Sequence, residues 1–89
     1  MNKEKIVFIS GHFSVFHPGH VRIFRLASQL GDKLIIGVLS DRLAGKSALI
    51  KEKPRLEVVQ ANSLVSEAFI IDEPLEDVIY KLKPNYVVK

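Results

Sequence analysis

The chain contains no cysteine among its 89 residues. Disulfides and thiolate metal centres are excluded, and the composition suits a reducing compartment. No apolar run approaches the ~20 residues a membrane helix needs. The start, MNKEKIVFIS, lacks the apolar core and small-residue cleavage site of a secretory leader. Cytoplasmic residence is the expectation, with no membrane partner. Internal repeats and low-complexity tracts are also missing. Charge is nearly balanced: 13 Lys and Arg against 10 Asp and Glu leave a formal +3. So mild an excess suits an anionic small molecule as well as nucleic acid. Basic and aromatic residues are not interleaved and no recognition-helix signature is present, so nucleic acid is not the expected partner.

What is present is enough for one small domain, residues 1–89, with hydrophobic residues at 47%. Four short apolar runs read as buried strands: KIVFIS (5–10), KLIIGVLS (33–40), EAFIID (67–72) and NYVVK (85–89). Between them the period changes to that of helices. From Pro18 to Leu30, Val21, Phe24, Ala27 and Leu30 share one face, and Gly31 follows as a terminator. A second helix is expected over 54–66, with Pro54 in its first turn, and a third over 74–83, with Leu75, Val78, Ile79 and Leu82 inward. The order β-α-β-α-β-α-β implies a parallel sheet with helices on both faces, and ligands that bind beyond the carboxyl ends of the strands.

One stretch at such an end draws the eye: GHFSVFHPGH, Gly11 to His20, which holds all three histidines of the chain. Gly11 lets the backbone leave the strand, and Pro18 suits the first position of the following helix. His17 then caps the helix or just precedes it, Gly19 allows close approach, and His20 falls in the first turn. A helix start offers unpaired N–H groups and a positive dipole end, and two flanking imidazoles can meet phosphate oxygens. Two other readings compete on spacing alone. One is a plain turn with solvated histidines. The other is a zinc site from His12, His17 and His20, although no acidic partner or HExxH helix supports it. The segment after the second strand, DRLAGKSALIKEKPR, lies on the same side of the sheet and carries Arg42, Lys46, Lys51, Lys53 and Arg55.

The H-P-G-H run, with Gly11 and Phe13 before it, LGDKLIIGVLSD after it and KPNYVVK at the end, resembles the H-x-G-H pattern of the cytidylyltransferase-like nucleotidyltransferases. Glycerol-3-phosphate cytidylyltransferases and the heptose-1-phosphate adenylyltransferase domains of ADP-heptose synthesis are similar in style. The resemblance implies a three-layer Rossmann-like α/β fold of the adenine nucleotide α-hydrolase-like (HUP) type. It implies transfer of CMP or AMP from CTP or ATP to a small phosphorylated alcohol or sugar, with release of pyrophosphate and no covalent enzyme intermediate. By position it makes His17, His20 and Lys46 catalytic, places Gly11, His12, Phe13, Gly19 and Asp41 around the nucleotide, and brings Arg55 to the acceptor phosphate. Mg²⁺ would be held mainly by the nucleotide phosphates, with no metal ligands from the protein. A homodimer is a further expectation. The chain departs from the pattern at Ser14, where an Asp is usual, and at Asn85, where the family has K-P-D. It also stops at Lys89, one residue before an expected Gly, so the resemblance reads it as the N-terminal part of the family domain. A nucleotide-binding or assembly module without turnover is the alternative function.

Overall fold

The computed structural model describes residues 4–13, 18–45 and 50–88. Its order is β1 (Ile6–Gly11), α1 (Pro18–Ser28), β2 (Lys33–Leu39), α2 (Asp41–Ala44), α3 (Glu52–Gln60), β3 (Glu67–Ile71), α4 (Leu75–Leu82) and β4 (Tyr86–Val88). All neighbouring strands run parallel, in the order β3-β2-β1-β4. The continuous apolar strands have the cause expected for them, since both faces of the sheet are covered. Val7, Ile9, Leu34, Ile36 and Val38 pack with Phe24 and Ala27 of α1 and Val59 of α3. Phe8, Ile35 and Ile71 pack on the other face with Val78 of α4. Phe8 and Phe24 are fully buried, and each contributes roughly 1.5–3 kcal/mol through area removed from water.

The helices differ from expectation at their ends, for local reasons. A short extra helix, α2, follows β2. Ser40 caps it, its Oγ accepting a hydrogen bond from the Leu43 N–H at 3.2 Å. Helix α1 ends at Ser28, and Leu30, expected inside, is 48% exposed. Helix α3 stops at Gln60, six residues early. Just beyond it the Asn62 side chain accepts from the Leu64 N–H at 2.9 Å and its carbonyl from the Val65 N–H, folding the chain into a turn. Pro54 lies in the first turn of α3, as expected.

The amino-terminal edge of the sheet is fastened in a regular way. The residue just before each of β2, β3 and β4 grips from both sides one residue in, or just before, the adjacent strand. The Asp32 N–H donates to the Lys5 carbonyl at 2.7 Å, and Asp32 Oδ2 accepts from the Lys5 N–H at 2.8 Å. Ser66 does the same to Leu34, at 2.8 and 3.1 Å. Asn85 does it to Ile6, at 2.8 and 2.7 Å. Gly31 is needed beside the first of these clasps, because a Cβ there would lie 2.6 Å from the Lys5 carbonyl oxygen.

The carboxyl edge is different. From β1 the chain winds one way to β2 and β3, then crosses back to place β4 on the other flank of β1. The direction reverses between β1 and β4, and the carboxyl end of β1 is where a doubly wound sheet opens a ligand crevice.

Candidate functional site

Strand β1 delivers Gly11, His12 and Phe13 to that crevice. Phe13 has φ 56°, the left-handed region that a bulky residue enters at a cost of about 1–2 kcal/mol. Packing holds it there. Its ring is buried, 5.8 Å from Phe24 in an edge-to-face arrangement and 5.5 Å from the imidazole of His20. The ring also covers Gly11, where an added Cβ would lie 3.2 Å from it.

Helix α1 begins at Pro18, the residue whose fixed φ and missing N–H suit that position. Gly19 and His20 follow in its first turn, both half-buried. A cleft of about 210 Å³ is lined by Ile9, Ser10, Gly11, His12, Phe13, His20, Ile23 and Phe24. Whole small-molecule sites run to ~300–1,000 Å³, so this cleft has the size for a phosphate group rather than an entire nucleotide.

Four of the residues expected at the site, Gly11, His12, Phe13 and His20, thus share one cleft, and Gly19 lies beside His20 in the same helical turn. His17, Lys46 and Ser14 lie outside the described residues. The donor chemistry of the described lining is imidazole, hydroxyl and backbone, without a carboxylate. Among the described residues no group of three or more His, Asp or Glu side chains converges in a way that could hold a metal ion.

Asp41 and Arg55 lie outside this lining. Asp41 opens α2, its N–H donating to Glu52 Oε1 at 2.9 Å. Arg55, expected to meet an acceptor phosphate, is 1% exposed. Its Nη1 donates to the carbonyls of His12 and Leu39, each at 2.7 Å, its Nε to the Ile50 carbonyl at 2.7 Å, and its Nη2 to Asp41 Oδ1 at 2.9 Å. These contacts occupy four of the five guanidinium N–H groups, so at most one remains for a ligand. The physical reason is position on the helix. Arg55 and Val59, four apart, form the buried stripe of α3, so the side chain points into the protein.

A second polar group lies at the carboxyl ends of β2 and β3. Asp72 Oδ1 accepts from Ser40 Oγ at 2.7 Å and from Arg42 Nε at 3.0 Å, and the Asp72 carbonyl accepts from Arg42 Nη2 at 2.7 Å. The Ser40 hydrogen bond, aided by Arg42, holds the Asp72 carboxyl below its ordinary pKa. These contacts pin α2 to β3. Ser40, Glu52 and Asp72 were not singled out in the sequence. Only Ser40 carried a readable signal, as a Ser followed by an acidic residue where a strand ends.

A parallel sheet with helices on both faces and a histidine-walled cleft at its switch point define an α/β protein of the Rossmann-like class. The cytidylyltransferase-like family model matches residues 8–89, and the chain belongs to that family. It is 38% identical over 95 residues to the bifunctional protein HldE of Helicobacter pylori (strain G27), which covers 99% of this chain and 20% of that protein. The HldE proteins of Gluconobacter oxydans and Syntrophotalea carbinolica are 39% and 40% identical, each over 19% of their length. The chain thus spans about a fifth of these curated relatives. Its fold matches the crystal structure of the lipopolysaccharide core biosynthesis protein from Thermoplasma volcanium GSS1 with a TM-score of 0.86 at 25% identity, over 96% of this chain and 73% of that one. Among the described residues no helix is long and apolar enough to cross a membrane.

Proposed function

We propose that this domain transfers a nucleotidyl group, CMP from CTP or AMP from ATP, to a small phosphorylated alcohol or sugar. A phosphate oxygen of the acceptor attacks the α-phosphorus of the triphosphate, the α–β bridging P–O bond breaks, and pyrophosphate leaves. Catalysis is positioning plus neutralisation of developing charge. The observation that carries this reading is the cleft at the end of β1, where His20 stands in the first turn of α1 against Phe13, in a chain of this family. His20 and His17 contact the phosphates. Lys46 adds a further positive charge to them, and backbone N–H groups near Gly11, His12, Phe13 and Gly19 complete the cradle. Asp41 acts on the nucleotide only through the backbone it helps to hold.

Mg²⁺, held mainly by the nucleotide phosphates, would supply further charge neutralisation. A sugar phosphate is the favoured acceptor class, because the structural neighbour is a lipopolysaccharide core biosynthesis protein. Two copies pairing through the exposed Ile23, Leu26 and Leu30 beside β4 is the assembly that fits this reading.

Thermal unfolding with Mg²⁺ and either CTP or ATP tests the proposal. One of the two is expected to raise the midpoint, since ligand at a hundred times its Kd adds about 2.7 kcal/mol. No shift with either nucleotide overturns it. A second reading, binding without turnover, is favoured by Ser14, which puts an uncharged side chain where the family pattern has a carboxylate. A nucleotide-induced shift without pyrophosphate release on any phosphorylated sugar or alcohol identifies that case.

A further inference from the structure

We propose that Arg55 is a positioning residue that sets the shape of the phosphate cradle from behind, without touching the nucleotide. This deepens the nucleotide-binding reading and rests on it. Three separate pieces of chain converge on one guanidinium. The His12 carbonyl belongs to the turn that ends β1, the Leu39 carbonyl to the last residue of β2, and the Ile50 carbonyl to the residues that lead into α3. A fourth partner, Asp41, supplies the countercharge at 2.9 Å.

The His12 connection bears directly on the cleft. The His12 carbonyl belongs to the peptide that leads into Phe13, whose backbone is in the left-handed region. A strained residue persists only where its surroundings fix it from several sides. Packing against Phe24 fixes the Phe13 ring, and Arg55 fixes the peptide just before it. The ring in turn stands against His20. The bond to the Ile50 carbonyl ties the approach to α3 to the same guanidinium. Arg55 therefore registers the turn that carries the cleft wall against the end of β2 and the approach to α3. A planar fork with five donors can serve four acceptors at once, whereas an ammonium group cannot match that geometry.

The test compares Arg55→Lys with Val78→Ala, which weakens the packing of the opposite sheet face and touches no part of the cleft. Both variants are studied well below their unfolding midpoints, so that only folded protein is measured. Calorimetry reports the Kd for CTP or ATP with Mg²⁺, and NMR reports the backbone resonances of Gly11 to Phe13 and the ring resonances of Phe13 and His20 without nucleotide. Positioning predicts that Arg55→Lys weakens binding by at least about tenfold and shifts the cleft resonances selectively, while Val78→Ala lowers the midpoint and leaves both unchanged. Wild-type affinity in Arg55→Lys, or cleft resonances that match the wild type, overturns the proposal. If the wild type itself binds neither nucleotide, the nucleotide reading falls, and the ligand-free resonances still decide whether Arg55 shapes the turn. Should Arg55→Lys fail to fold, Asp41→Asn removes the countercharge but keeps the guanidinium. Unchanged cleft resonances in that variant then overturn the proposal.

Discussion

The imidazole of His20 and the ring of Phe13 stand 5.5 Å apart, inclined at 55°, so a core residue forms the wall behind a candidate phosphate ligand. The two should separate cleanly on substitution. His20→Asn is expected to change stability little, because His20 is only half-buried, and to weaken nucleotide binding by about tenfold or more, the scale of one hydrogen bond to a charged group. Phe13→Ala is expected to lower stability by about 3 kcal/mol, through the cavity it leaves against Phe24, and to weaken binding as well. Calorimetry together with urea unfolding measures both.

Asn85 stands where the family pattern carries Asp, and its side-chain oxygen accepts the Ile6 N–H at 2.7 Å. A carboxylate oxygen can accept the same bond. Asn85→Asp is therefore expected to be close to neutral and Asn85→Ala to cost about 1 kcal/mol, read as a shift of the urea midpoint at unchanged slope.

Gly37 lies mid-strand in β2, where an added Cβ would meet Ile71 Cδ1 and lie 3.0 Å from the ring of Phe8. Gly37→Ala should destabilise by about 1–3 kcal/mol through overpacking. Ile71→Val removes the methyl that collides. The double variant should therefore be more stable than the sum of the single effects predicts, with a coupling of at least about 0.5 kcal/mol in a double-mutant cycle.

Asp72 ties acid stability to one cluster. Its pKa is lowered in the folded state, first by the Ser40 hydrogen bond and then by Arg42. A group with a depressed folded pKa stabilises above its unfolded value and loses that contribution as pH falls through the folded one. The loss should therefore set in below the ordinary carboxylate value of 3.8. Asp72→Asn should flatten the stability profile in that acid range and leave its shape unchanged between pH 5 and 8. If wild type and variant lose stability in parallel on acidification, the cluster does not have this role.

Much of the architecture was readable because its causes are local. Apolar β-branched runs gave the strands, Pro18 marked the start of α1, and the alternation of periods implied parallel pairing. The cleft was legible through Gly11, Phe13 and His20 for the same reason, since a strand end, a turn and a helix start adjoin in sequence. What escaped depends on partners far along the chain. Arg55 reads as a surface charge until the carbonyls of His12, Leu39 and Ile50 are seen around it. The turn at Asn62 ends α3 short of residue 66, and it depends on bonds to Leu64 and Val65 that form only in the folded chain. The clasps at Asp32, Ser66 and Asn85 are short polar residues at strand starts, and only the register shows that each answers a particular backbone group on a neighbouring strand.

Those clasps also set an order of assembly. The Asp32 and Ser66 clasps close 27 and 32 residues of chain, whereas the Asn85 clasp closes 79. Longer closures cost more entropy and are met later in folding. Strand β4, which pairs with β1, is thus expected to dock after β2 and β3. Faster amide exchange at Val87 than at Ile35 would record that sequence, and equal rates would exclude it.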